Sequence, residues 1–288
     1  MATANEWIQG ARPRTLPAAL VPVVVATAAA EAAGHFLWDR ALLALVVSLA
    51  IQVATNYAND YSDGRRGTDD KRVGPMRLVA SGAASPKAVL AAALASFGVA
   101  GLAGLALAFM TSWTLLLVGA LALLAGWFYT GGKRPYGYMG LGEVFVFVFF
   151  GVVAVVGTYY VQTGAVDAYS LLLSVPVGLL AVALLVINNL RDIPTDAASG
   201  KMTLAVRMGD KGTRRFYVGI VVLALLLAPV LAAYRPFAWL GLLAAPLALR
   251  PGRLVLAGAT GRDLIRALAM TGALQIAFGA LLSIGILL

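Results

Sequence analysis

Long apolar runs alternate with short polar connections along the whole chain, in a rhythm set by the thickness of a membrane. A helix needs about 20 apolar residues to cross a bilayer, and runs that meet this or nearly so fall near 16–33, 41–60, 87–110, 112–130, 142–162, 168–190, 216–233, 236–250 and 267–288. Pro236, Pro246 and Pro251 bound or interrupt the eighth. The first follows Arg12 and Arg14 as a secretory leader would, but further runs succeed it, so it reads as an uncleaved helix. The pattern predicts an all-α, polytopic membrane bundle of nine transmembrane helices, a single domain over residues 1–288.

Composition agrees with the pattern. Of 288 residues 61% are hydrophobic and only 12% charged, more apolar surface than a soluble fold of this size can hide. The net charge of +9 would suit a nucleic-acid binder, so the position of the charges decides. Every Lys and Arg except Arg40 and Arg235 lies in the N-terminal segment or in an even-numbered connection. Basic residues concentrate on the cytoplasmic side of membrane proteins. The bias therefore predicts the cell's inner, cytoplasmic membrane, with the N-terminus and even connections inside and the C-terminus outside. It also accounts for the charge with no nucleic acid.

Polar residues gather where two of the runs end. Asn56, Asn59, Asp60 and Asp63 fall at i, i+3, i+4 and i+7, one face of a helix, and Gly64 is placed to supply a left-handed cap. Asn188 and Asp192 share a second face, while Pro194 disfavours helix through Ile193, so Asp196 is expected to approach from a turn or a new helix start. Both clusters contain Asn-x-x-x-Asp, four runs apart, a weak internal repeat. Carboxylates at the C-terminal ends of helices face an already negative dipole, and at the edge of a hydrocarbon layer they need a compensating cation. With no Cys and one histidine, His35, any metal must be held by oxygens, which favours Mg²⁺, Mn²⁺ or Ca²⁺. Basic residues crowd the same connections: Arg65, Arg66, Lys71, Arg72 and Arg77 in one, Lys201, Arg207, Lys211, Arg214 and Arg215 in the other. Metal and cations around one cavity suit a diphosphate, although most of these residues are accounted for by membrane sidedness alone.

At these residues the chain resembles the UbiA superfamily of intramembrane aromatic prenyltransferases, whose paired motifs appear here as Asn59-Asp60-Tyr61-Ser62-Asp63 and Asp192-Ile193-Pro194-Thr195-Asp196. Many members carry a third Asp where this chain has Gly67, with Asp69 and Asp70 slightly beyond. Longer strings, among them residues 72–82, 129–143 and 188–209, are similar to the branch that prenylates 1,4-dihydroxy-2-naphthoate in menaquinone synthesis. The resemblance implies Mg²⁺ held by Asp60, Asp63, Asp192 and Asp196, which are also the catalytic set. It implies a polyprenyl diphosphate contacted by Lys133 and Arg134, more weakly by Lys201 and Arg207, and a site shared by Asn56, Asn59, Asn188 and Tyr129. Arg12, Arg134 and Arg207 are the open candidates for the acceptor's carboxylate. Two alternatives stay open: a branch acting on 4-hydroxybenzoate, which the aspartates do not separate, and an ion-coupled transporter, which predicts acids at mid-span instead of at helix ends.

Overall fold

A computed structural model describes residues 2–68 and 76–288, and every regular element among them is helical. A short α1 (Ala4–Gly10) precedes α2 (Pro17–Ala32), α3 (Trp38–Arg66), α4 (Pro86–Met110), α5 (Thr114–Phe128), α6 (Gly142–Thr163), α7 (Ala168–Ala198), α8 (Leu204–Leu231), α9 (Ala238–Leu256) and α10 (Gly261–Leu287). Each expected run coincides with one of α2 to α10. By length and composition seven of these helices suffice to cross a membrane, and an eighth does if α1 and α2, bent by 55° at Leu16, count as one span. The 15-residue α5 rises only about 22 Å at 1.5 Å per residue, so by this measure the described residues do not reach nine. The protein is a multi-pass membrane bundle. Large apolar side chains such as Leu102 and Phe109 are exposed around its outside, where a soluble protein would aggregate.

The most enclosed helix is α7, packed against α2, α6, α8 and α10 through Leu173, Val177, Leu180 and Ile187. It meets α6 at Gly178, where a π-helical stretch, Phe147–Val153, interrupts the α-helix. A Cβ on Gly151 would lie 2.8 Å from the Gly178 backbone, so the crossing exists only because both residues lack one.

Two expectations about helix ends are corrected. The cap of α3 is Gly67 (φ 71°), not Gly64. Gly64 is inside the helix, and its missing Cβ makes room for Val79, which would sit 2.6 Å away. Nor does Pro194 end its helix: α7 continues to Ala198, so Asp196 lies in its last turn, four residues after Asp192. An interior proline costs about 3 kcal/mol, and the burial of α7 against four neighbours outweighs it.

Candidate active site

The acidic ends of α3 and α7 meet at one end of the bundle. Asp63 projects from the last turns of α3, and its Oδ1 accepts the Tyr138 hydroxyl at 2.8 Å. Burial first, and Asp63 second, push the Tyr138 phenol above its ordinary pKa, so it remains a donor. The Lys201 ammonium lies 3.7 Å from Asp63 Oδ2 and 3.6 Å from Asp196 Oδ1, and over the Tyr138 ring. One cation therefore spans the two clusters. Asp192 forms a two-point pair with its neighbour Arg191, at 2.8 Å in both bonds.

Asp60 is placed differently. It is 1% exposed, and its two oxygens accept the backbone N–H groups of Leu78 (2.7 Å) and Val79 (3.0 Å). Leu78 in turn packs on Gly10, and Val79 on Gly64. The carboxylate thus fastens the segment after residue 75 to α1 and α3, and it is absent from the wall of the neighbouring cavity.

That cavity, ≈ 430 Å³, has a polar head and an apolar body. Asn56, Asn59, Asp63, Asn188, Asp192 and Lys201 stand in its head, with Arg12, Arg77 and Asn189. Asn56 Nδ2 donates to Ala11 O (2.9 Å) and to Thr15 Oγ1 (3.2 Å), while Asn59 Oδ1 accepts the Thr130 hydroxyl (2.7 Å). Asn188 Nδ2 donates to Leu184 O (3.2 Å). The bonds of Asn56 and Asn59 tie the N-terminal segment and Thr130, just past α5, to α3, whereas that of Asn188 stays within α7. Arg12 has a left-handed backbone (φ 56°), a conformation costing a non-glycine residue about 1–3 kcal/mol. Its carbonyl accepts the Thr15 N–H, and its guanidinium reaches Asn56 O.

Along one wall Tyr129 meets Tyr136 edge-on at 5.5 Å, Tyr136 stacks on Phe145 at 3.9 Å, and Phe145 on Phe149 at 6.1 Å. The body continues past Val47, Ile51, Leu123 and Leu184. Gly101 and Gly104 of α4 and Gly119 of α5 stand on the wall, and a Cβ on any of them would meet nothing closer than 3.9 Å. Leu105 of α4 and Leu116 of α5 line the cavity and are also exposed, so its apolar body reaches the surface of the bundle, which faces lipid.

Other expected residues lie apart. Lys133 and Arg134 are exposed and off the cavity wall. Arg207 is exposed beneath Gly140 and donates to Met202 O (3.2 Å). Asp69, Asp70, Lys71 and Arg72 fall outside the described residues. Sequence reasoning missed the pair Glu143 and Asn189, whose Oε1 and Nδ2 are 2.9 Å apart and buried. The available signal was an acid opening an apolar run with no basic residue beside it.

Residues 19–282 match the model of the UbiA prenyltransferase family. The chain belongs to the UbiA prenyltransferase family. A 1,4-dihydroxy-2-naphthoate octaprenyltransferase of Mycobacterium tuberculosis is 53% identical to this UbiA protein over 94% of the chain and 93% of its own length. One of that name from Escherichia coli is 39% identical over 87% and 84%. Among solved structures, an apo UbiA homologue from Aeropyrum pernix K1 superposes with TM-score 0.72 at 18% identity, covering 91% of this chain and 95% of that one. Another from Archaeoglobus fulgidus, bound to GPP and Mg²⁺, gives 0.66 at 15% over 96% and 99%. These likenesses share the UbiA fold.

Proposed function

We propose that the protein transfers a polyprenyl chain from polyprenyl diphosphate to 1,4-dihydroxy-2-naphthoate, releasing diphosphate and CO₂ and yielding demethylmenaquinol. The observation that carries this is the joined cavity, with an acid, amide and cation head at the membrane edge and an apolar body open to lipid. A diphosphate suits the head, and a tail longer than the cavity can extend from the apolar body into lipid. The names of the relatives at up to 53% identity support the acceptor.

The oxygen donors fit a divalent cation shared with substrate. Asp63 and Asp196 approach one point from different helices, as Lys201 marks, and no three acidic or imidazole side chains converge among the described residues to form a closed cage. Such a partial set is how Mg²⁺ is held when phosphate oxygens complete its shell. Asp63 and Asp196 would hold Mg²⁺ together with substrate oxygens, with Asp192 in the same head and Asp60 behind, and the ion would supply charge to offset that of the departing diphosphate. Lys201 and Arg77 supply further positive charge in the head. As the C–O bond breaks, the aromatic wall of Tyr129, Tyr136, Phe145 and Phe149 faces the allylic cation and keeps water from it. Attack by the carboxylate-bearing ring carbon leaves no proton there to lose, so CO₂ departs and its bonding electrons restore aromaticity. Of the three arginines open for that carboxylate, Arg12 alone lines the cavity. The head faces the cytoplasm in this reading, with the C-terminus outside.

Membranes given carboxyl-labelled naphthoate, a polyprenyl diphosphate and Mg²⁺ should yield an unlabelled prenylated naphthalene-diol and labelled CO₂ in equal amounts, and chelation should stop both. A product that keeps its carboxylate, or preference for 4-hydroxybenzoate, would overturn the reading.

A further inference from the structure

Glu143 opens α6 in the interior of the bundle, 5% exposed. It forms no ion pair among the described residues. Oε1 accepts Asn189 Nδ2 at 2.9 Å, and Oε2 has no hydrogen-bond partner. A buried carboxylate without a cation is costly, and nothing in the mechanism above uses it. Its position is nonetheless confined, because Tyr129 packs directly on Gly142, where a Cβ would meet the ring at 3.2 Å.

Asn189 lines the cavity and Glu143 does not. An amide has a donor end and an acceptor end, and an ionised carboxylate accepts only. Glu143 therefore holds one N–H of Asn189 and fixes the sense of the amide, so that Oδ1 is the acceptor it can offer a ligand. A diphosphate has no donor for it, being itself an acceptor, and a prenyl tail has neither. The ring hydroxyls of a phenolic acceptor are donors. We infer that Asn189 Oδ1 receives a hydroxyl of the aromatic acceptor, and that Glu143 is the positioning residue that holds the amide in that sense. A hydrogen bond accepted from the hydroxyl also moves electron density onto the ring carbon that attacks the allylic cation, so the same contact selects the acceptor and activates it.

The inference rests on the acceptor proposed above, and the test separates the two. Steady-state constants are measured with 1,4-dihydroxy-2-naphthoate and with its two mono-hydroxy analogues, each lacking one hydroxyl. The wild-type protein should disfavour one analogue by on the order of tenfold or more. Glu143→Leu should raise the KM for the dihydroxy acceptor by a similar factor, leave the KM for prenyl diphosphate unchanged, and abolish discrimination against that analogue. Glu143→Gln, whose carbonyl can still accept from Asn189, should stay within about threefold of wild type. The double variant Glu143→Leu, Asn189→Leu leaves no unpaired polar group behind, so it provides a folded protein if the single variant fails, and it should show the same loss of discrimination. Wild-type discrimination in the leucine variants, equal changes in both KM values, or a Glu143→Gln enzyme as impaired as Glu143→Leu would overturn the inference. Failure of the wild-type protein to turn over any of the naphthoates would instead overturn the proposed acceptor.

Discussion

Asp60 and Asp63 are three residues apart and of one chemical type, yet they do different work. Both oxygens of Asp60 hold backbone N–H groups, whereas Asp63 faces the cavity with Tyr138 and Lys201. In Asp60→Asn an amide NH₂ would confront a buried N–H, at a cost of about 1–3 kcal/mol. That variant should lose activity together with melting temperature in detergent, by several degrees. Asp63→Asn keeps an oxygen for Tyr138 and should lose turnover with little change in melting temperature. Equal melting temperatures for the two would contradict this division. The sequence makes both acids visible, because carboxylates at the edge of an apolar run need a reason to be there. It does not distinguish them, since the partners of Asp60 are main-chain groups 18 and 19 residues later that carry no side-chain signature. Glu143 went unread for a related reason: its partner, Asn189, lies 46 residues away on another helix.

At the scale of elements, periodicity and length locate α2 to α10, because burial in lipid demands apolar runs of fixed extent. Their ends are less legible. Gly64 has the composition of a cap but serves a contact with Val79, and Pro194 has the composition of a stop but is carried through by the packing of α7. The crossing of α6 and α7 is similar, since nothing local to Gly151 or Gly178 says that they touch. Gly178→Ala would press a methyl against the Gly151 Cα at 2.9 Å, an overpacking that costs about 1–3 kcal/mol. Thermal denaturation in detergent should show a clear fall for that variant. Gly157→Ala, on the same helix as Gly151 but with nothing within 4 Å, should be neutral or gain up to about 1 kcal/mol. A fall of the same size in both would mean that general helix effects, not the crossing, set the result.

For the molecule as a whole, the two basic residues set apart by charge distribution lie at one end. Arg40 donates to Val161 O (2.7 Å) and Met110 O (3.1 Å), and Arg235 to Ala32 O, so both satisfy carbonyls at helix C-terminal ends. The acids and Lys201 occupy the other end. With no Cys in the chain, single cysteines can report each face. An impermeant thiol reagent applied to intact cells should label a cysteine beside His35 or at Gly164, and not one at Gly200. The reverse pattern would invert the proposed orientation.

Lys201 has a consequence for how the two halves of the head are held. Its ammonium between Asp63 and Asp196 answers the charge of both acids with a group that arrives as part of the polypeptide. Where the two helix ends meet, part of the repulsion between their acids is thus offset by the polypeptide itself, and Lys201→Met should lower the melting temperature in detergent while Lys201→Arg should not.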